Sequence, residues 1–346
     1  MCAMTLGDLG ADVIKVERPG TGDDTRAWGP PFNADGESAY YLSINRNKKG
    51  IALDLSNPAD AALARALVVD ADVVIDNFLP GALVRRGLDP DALVAEHARL
   101  VWCTIGGFAQ QPQRPGYDLV AQAESGLMAI TGEPGGAPMK HGVAIVDILA
   151  GKDAAIAICA ALAARARGDQ PAAARRLHIS LLETALAALT YAAQNVMVSG
   201  EDAHRAGNGN PNLVPYQLIP ARDRPFILAV GNDHQFVACA AVLARPDLAI
   251  DARFATNAAR VTHRDALIAE LTAVLATRDA DSWIAALERA RVPCGRMHSV
   301  REAIANAGGS AITGMPPALP GTIRLPPPAL DEHGALIRAR GWGAFG

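Results

Sequence analysis

Asp147 is the residue whose surroundings first suggest chemistry. It stands inside VAIVDILAGKDAAIAICAAL, among residues that favour burial. A carboxylate in such company is costly unless it is capped, paired or used. As an N-cap or first-turn acid it would only satisfy helix amides, and residue type alone favours that role. Held ionised in an apolar pocket, it would serve as a nucleophile. Gly142 before it and Gly151 after it allow close approach of backbone or ligand.

Arginines form the second group. Arg18, Arg46, Arg85 and Arg86 fall near predicted strand ends, where guanidinium forks suit phosphate. For any single one a solvated surface charge is the simpler reading; several at the ends of one sheet weigh more. Tyr117, in RPGYD, is as well suited to closing a loop as to touching a ligand. Gly231-Asn232-Asp233 reads as a turn first and as a mobile loop over a site second. His141 stands alone in MKHG and reads as a solvated loop residue. There is no GxGxxG and no GxxxxGK[ST], so dinucleotide and P-loop readings lack their signature. No HxxxH or HExxH occurs, and no metal site is expected.

These residues need a frame, and the periodicity supplies an α/β one. Asp12–Glu17, Ile51–Leu55, Val73–Asn77 and Leu100–Ile105 read as strands, with helices over Pro58–Val69 and Asp89–His97. Such alternation argues a mainly parallel sheet, with ligands at the carboxyl ends of its strands. A long apolar helix covers 146–166, Leu177–Leu182 is a strand candidate, and Glu183–Val198 reads as one helix. Arg205–Tyr216 is rich in Asn, Gly and Pro and reads as a linker. Beyond it come a strand at Phe226–Val230 and amphipathic helices at His234–Leu243, Arg264–Thr277 and Asp279–Arg289. The domain reading is a large domain over 1–200 completed by 318–346, a linker over 201–220, a small domain over 221–305, and a Pro-rich return segment over 306–346. The chain opens within a helix, Cys2–Leu9, where a parallel unit would first supply a strand and a loop. The N-terminal strand therefore reads as missing.

Bulk composition narrows the function. The 346 residues are 50% hydrophobic with a formal net charge of −4, enough for about two domains. Mild acidity and 5% aromatics argue against a nucleic-acid partner. No charge-free run reaches membrane-span length, and no secretory leader is visible, so neither membrane nor export is expected. Five cysteines scattered through apolar segments suit a reducing cytoplasm.

Nine segments, taken together, resemble family III CoA-transferases, the group that includes formyl-CoA and carnitine CoA-transferases and α-methylacyl-CoA racemases. They are GDLGADVIKVERPGTGDDTR, SINRNKKGIALDL, DNFLPGALVRRGL, RPGYDLVAQAESGLMAITG, VAIVDILAG, RAGNGNPNLVPYQ, DARFATNAARV, VPCGRMHSV and PPALDEH, in the family's order and spanning nearly the whole chain. The resemblance implies a Rossmann-like large domain, a smaller α+β domain and an interlocked homodimer. It implies that Asp147 is the catalytic aspartate, and that Arg18, Leu53, Asp54, Leu55, Ser56, Asn77, Phe78, Arg85, Arg114 and Tyr117 contact coenzyme A (CoA). The substrates implied are an acyl-CoA and a carboxylic acid, exchanged through aspartyl anhydride and aspartyl-CoA thioester intermediates, with no permanently bound cofactor. A racemase of the same family would carry GHD where this chain has Gly116-Tyr117-Asp118. A tyrosine of pKa about 10 is a poor base near neutrality, which favours the transferase. The alternatives are an acyl-CoA racemase or epimerase and an inactive CoA-binding subunit. The chain departs from the family pattern by lacking roughly two dozen residues before CAMTLGDLG, on a comparison with typical domain lengths.

Overall fold

The computed structural model describes residues 1–168 and 171–346. They form two compact units: 1–128 with 140–201 and 304–346, and 129–139 with 202–303.

In the first unit every strand pair is parallel. β1 (Ile14–Glu17) pairs with β2 (Lys49–Ala52), Glu17 opposite Ala52. β3 (Val73–Asp76), β4 (Val101–Gly106) and β5 (Arg176–Ser180) form a second sheet in that order. Asp76 lies opposite Thr104, and Thr104 opposite His178. The expected parallel layer is thus present, as two small sheets. The second strand, expected over Ile51–Leu55, comes earlier, at Lys49–Ala52. Asp54 accepts from both the amide and the hydroxyl of Ser56, and this side-chain turn ends β2 before Leu53. Asn57 then caps helix Pro58–Val69, with proline in its first turn.

Side-chain alternation divides the three-stranded sheet. Val73, Ile75, Cys103, Ile105, Leu177 and Ile179 pack towards Ala154, Ala155 and Ile158 of helix Ile145–Ala166. Small residues let this helix sit close to its neighbours. A Cβ on Gly151 would lie 2.7 Å from the Met1 Cβ. One helix expected over 183–198 is in fact two, Leu181–Ala188 and Tyr191–Ser199. The break is at Thr190, whose φ of 41° no β-branched residue favours, so its type gave no warning.

The C-terminal return runs along β2. Ala52 N–H donates to Asp331 at 2.7 Å and His333 N–H to the Gly50 carbonyl at 3.0 Å. Side-chain and backbone groups together cover the free edge of that strand.

The second unit is an antiparallel sheet, β6 (Tyr216–Ile219), β7 (Phe226–Ala229) and β8 (Cys294–Arg296), in that order. Phe226, Leu228, Phe236, Leu267, Leu271 and Trp283 form its core. The segment 205–216, expected as a linker, ends by entering β6. Gly207 N–H donates to the Gly132 carbonyl at 3.1 Å, which ties this segment to 129–139.

Candidate active site

Asp147 lies in the first turn of helix Ile145–Ala166, but it does not cap that helix. Asp118 does. Its Oδ1 accepts from Val146 N–H at 2.7 Å and Asp147 N–H at 3.3 Å. Asp118 Oδ2 accepts from Gln122 Nε2 at 2.5 Å, and Gln122 Oε1 accepts from His141 N–H at 2.8 Å. Gln122 is almost fully buried, so one amide joins the capping acid to the loop that enters the helix. His141 Nδ1 in turn accepts from Val143 N–H at 3.3 Å. The imidazole that reads as solvated therefore also shapes this loop.

The consequence falls on Asp147. Among the described residues its carboxylate accepts no hydrogen bond, and one side of it is open to solvent. Loss of water on its other side, and then the charge of Asp118, push its pKa up to about 6, while the amino group of Met1 pulls the other way. Lone pairs neither shared with a donor nor fully protonated at neutral pH are what a nucleophilic carboxylate requires.

Tyr40 belongs to the same neighbourhood, and sequence reasoning missed it. Burial, then the charges of Asp147 and Asp118, raise its phenol above the usual range. Its ring meets Trp28 edge-on at 4.9 Å. The only signal was an aromatic pair, Tyr40-Tyr41, and nothing in residue type separates the two. Tyr41 is fully buried, its hydroxyl donating to the Pro328 carbonyl at 2.9 Å.

The residues expected to contact CoA follow the carboxyl ends of β1 to β4. Leu53 N–H donates to the Glu17 carbonyl at 2.9 Å, which sets Leu53 beside Arg18. The Arg18 guanidinium donates to the Gly22 carbonyl at 3.3 Å and pairs with Asp24. Hydrogen bonds from Ser56, and then the charge of Arg86, hold Asp54 below the usual carboxylate range. Loops after β2 and β3 are therefore neighbours. Asn77 and Phe78 follow β3 directly, and Phe78 is half exposed. Arg85 rests against Gly81, whose φ of 81° makes the turn. Neither Arg85 nor Arg86 has an ion-pair partner among the described residues. The Gln113 amide donates to the Pro80 carbonyl at 3.4 Å, joining the loops after β4 and β3. Arg114 pairs with Glu124 at 3.0 Å and stacks on Phe108 at 4.1 Å, so its charge is already engaged. Tyr117, immediately before Asp118, is 66% exposed.

One reading needs correction. Arg46 is no strand-end phosphate ligand: it is 4% exposed and grips Asp8 with two bonds of 2.9 and 2.6 Å. Its second terminal nitrogen donates to the carbonyls of Thr313 and Met315. Gly231-Asn232-Asp233 is a capped helix start. Asn232 accepts from Gln235 N–H at 2.9 Å, and Asp233 pairs with the buried Arg260 at 2.8 Å. Among the described residues no cluster of His, Cys, Asp and Glu could hold a metal, and no helix is long and apolar enough to cross a membrane.

The first unit thus combines parallel strands, an unshared carboxylate at a helix start and a line of loops at the strand ends. The chain matches CoA-transferase family III over residues 1–333 and belongs to that family. It is 40% identical to the succinate–glutarate CoA-transferase of Agrobacterium fabrum, with 96% of this chain and 90% of that protein covered. It is 36% identical to the acetyl-CoA:oxalate CoA-transferase of Acetobacter aceti, over 96% of this chain and 89% of that one. Among solved structures it is similar to a CAIB/BAIF family protein from Brucella suis, with a TM-score of 0.80, 39% identity and coverage of 98% and 94% of the two chains.

Proposed function

We propose that this protein transfers CoA from an acyl-CoA to a carboxylic acid by covalent catalysis at Asp147. The observation that carries the reading is the division of labour at the helix start: Asp118 caps, and Asp147 is left free. An Asp147 oxygen attacks the thioester carbonyl of the donor, the C–S bond breaks, and a mixed anhydride forms with release of CoA thiolate. That thiolate attacks the aspartyl carbonyl of the anhydride. The donor acid leaves, and Asp147 becomes an aspartyl-CoA thioester. The acceptor carboxylate attacks this thioester, giving a second anhydride and free thiolate. Attack of the thiolate on the acceptor's carbonyl releases the new acyl-CoA and restores Asp147. No external oxidant, reductant or metal enters this balance.

Arg18, Leu53 to Ser56, Asn77, Phe78, Arg85, Arg114 and Tyr117 are the proposed CoA contacts. Relatives named for succinate, glutarate and oxalate support small dicarboxylic acids as the partners in exchange. Tyr117 in place of a histidine supports transfer over racemisation. The working unit is proposed to be a homodimer. Its free cysteines suit a reducing compartment, and the cytoplasm is the proposed location.

Mass spectrometry of the intact protein mixed with succinyl-CoA, with hydroxylamine or borohydride trapping, tests the mechanism. The expected result is an adduct that maps to Asp147 and is absent from Asp147→Ala. A folded protein that forms no adduct with any of a panel of acyl-CoA donors would sink it.

A further inference from the structure

Asp76, the last residue of β3, accepts three hydrogen bonds. Its Oδ2 takes the indole N–H of the buried Trp102 at 2.6 Å and the Thr104 hydroxyl at 2.7 Å. Its Oδ1 takes Phe78 N–H at 2.9 Å. Among the described residues no other hydrogen bond holds Asn77 or Phe78. The Phe78 ring is 48% exposed, so packing does not fix it either.

The carboxylate is itself held from across the sheet. Thr104 lies directly opposite Asp76 on β4. Its hydroxyl oxygen accepts from Arg176 of β5 at 3.0 Å, and Arg176 pairs with Asp91 at 3.0 Å. A chain of polar contacts thus runs from helix Pro90–Glu96 through β5, β4 and β3 to the Phe78 N–H, at the start of the loop that follows β3. Charge-assisted bonds of this kind are about twice as strong as neutral ones. A loop that is ordered before its ligand arrives spares the ligand the cost of ordering it.

We propose that Asp76 is a positioning residue which sets the Asn77–Phe78 loop for CoA; this rests on the reading of that loop as a CoA contact. Among the described residues no hydrogen bond joins Asp76 to Asp147, so its effect is confined to recognition of CoA and spares the chemical step.

The test is isothermal titration of CoA against the full-length protein, with steady-state kinetics, for wild type, Asp76→Asn, Thr104→Val and Thr104→Ser. In Asp76→Asn the new amide N–H faces either the Trp102 N–H or the Phe78 N–H, a donor against a donor in both orientations. The expected result is a rise of about tenfold in the Kd for CoA and the KM for acyl-CoA. The kcat and the KM for the acceptor acid stay within about twofold. Thr104→Val moves the same quantities less, and Thr104→Ser, which keeps the hydroxyl, restores them. A role confined to stability would lower Tm and leave the Kd for CoA unchanged. That outcome in Asp76→Asn, or in Thr104→Val if Asp76→Asn does not fold, overturns the proposal alone. A folded wild type that binds no CoA overturns the transferase reading with it.

Discussion

Asp8 and Asp147 are both aspartates of one unit, and their surroundings treat them in opposite ways. Asp8 is buried, gripped at both oxygens by Arg46 and bonded at 2.8 Å by Asn47. Every lone pair that matters has a donor, and the group is structural. Asp147 has no donor among the described residues, because Asp118 already satisfies the nearest amides. The two differ in exposure, Asp8 being buried and Asp147 open to solvent on one side, and they differ in partners: the fold supplies several to Asp8 and withholds them from Asp147.

The sharpest way to break this contrast is to remove each group. Asp147→Ala is expected to lower kcat/KM for CoA transfer by roughly 10³-fold or more, with Tm little changed because no hydrogen bond is lost. Substantial transfer by that variant would remove Asp147 from the mechanism. Arg46→Ala should do the reverse. It leaves the Asp8 carboxylate buried without its partner, at a cost of about 3–5 kcal/mol. Chemical denaturation should show that loss, and a change within experimental error would mean that water or the return segment substitutes for the guanidinium.

Acidity gives a finer test. If the ionised Asp147 is the nucleophile, its raised pKa predicts that the rate falls as pH drops through about 6. Asp118→Asn removes the negative neighbour that contributes to the upward shift. The acidic limb should therefore move to lower pH, a change read directly from kcat/KM against pH. A limb that stays in place, or moves upward, would show that Asp118 does not act on Asp147 through its charge. The smallest effect is expected at Arg85. Arg85→Ala removes a cation with no ion-pair partner among the described residues and should weaken CoA binding by about tenfold, leaving the pH profile where it was. Unchanged affinity for CoA would take Arg85 out of the site.

Much of this was open to inspection in the residues alone. Apolar, β-branched runs marked strands at Val73–Asn77 and Leu100–Ile105, close to the observed Val73–Asp76 and Val101–Gly106, because strand propensity follows from local residue type. An acid set in an apolar, glycine-punctuated run singled out Asp147 for the same reason. The division of roles between Asp147 and Asp118 was not open in this way. Both sit in the first turn of a helix, and which one caps depends on a contact across 29 residues. Arg46 illustrates the same limit from the other side. It was grouped with the arginines near predicted strand ends that suit phosphate, but its partner Asp8 is 38 residues away in the chain. Residue types and spacing determined which groups could ionise, cap or pair, and which segments had to be buried. Tertiary structure alone decided which acid received donors and which was left without, because hydrogen bonds are satisfied by neighbours in space and not by neighbours in sequence.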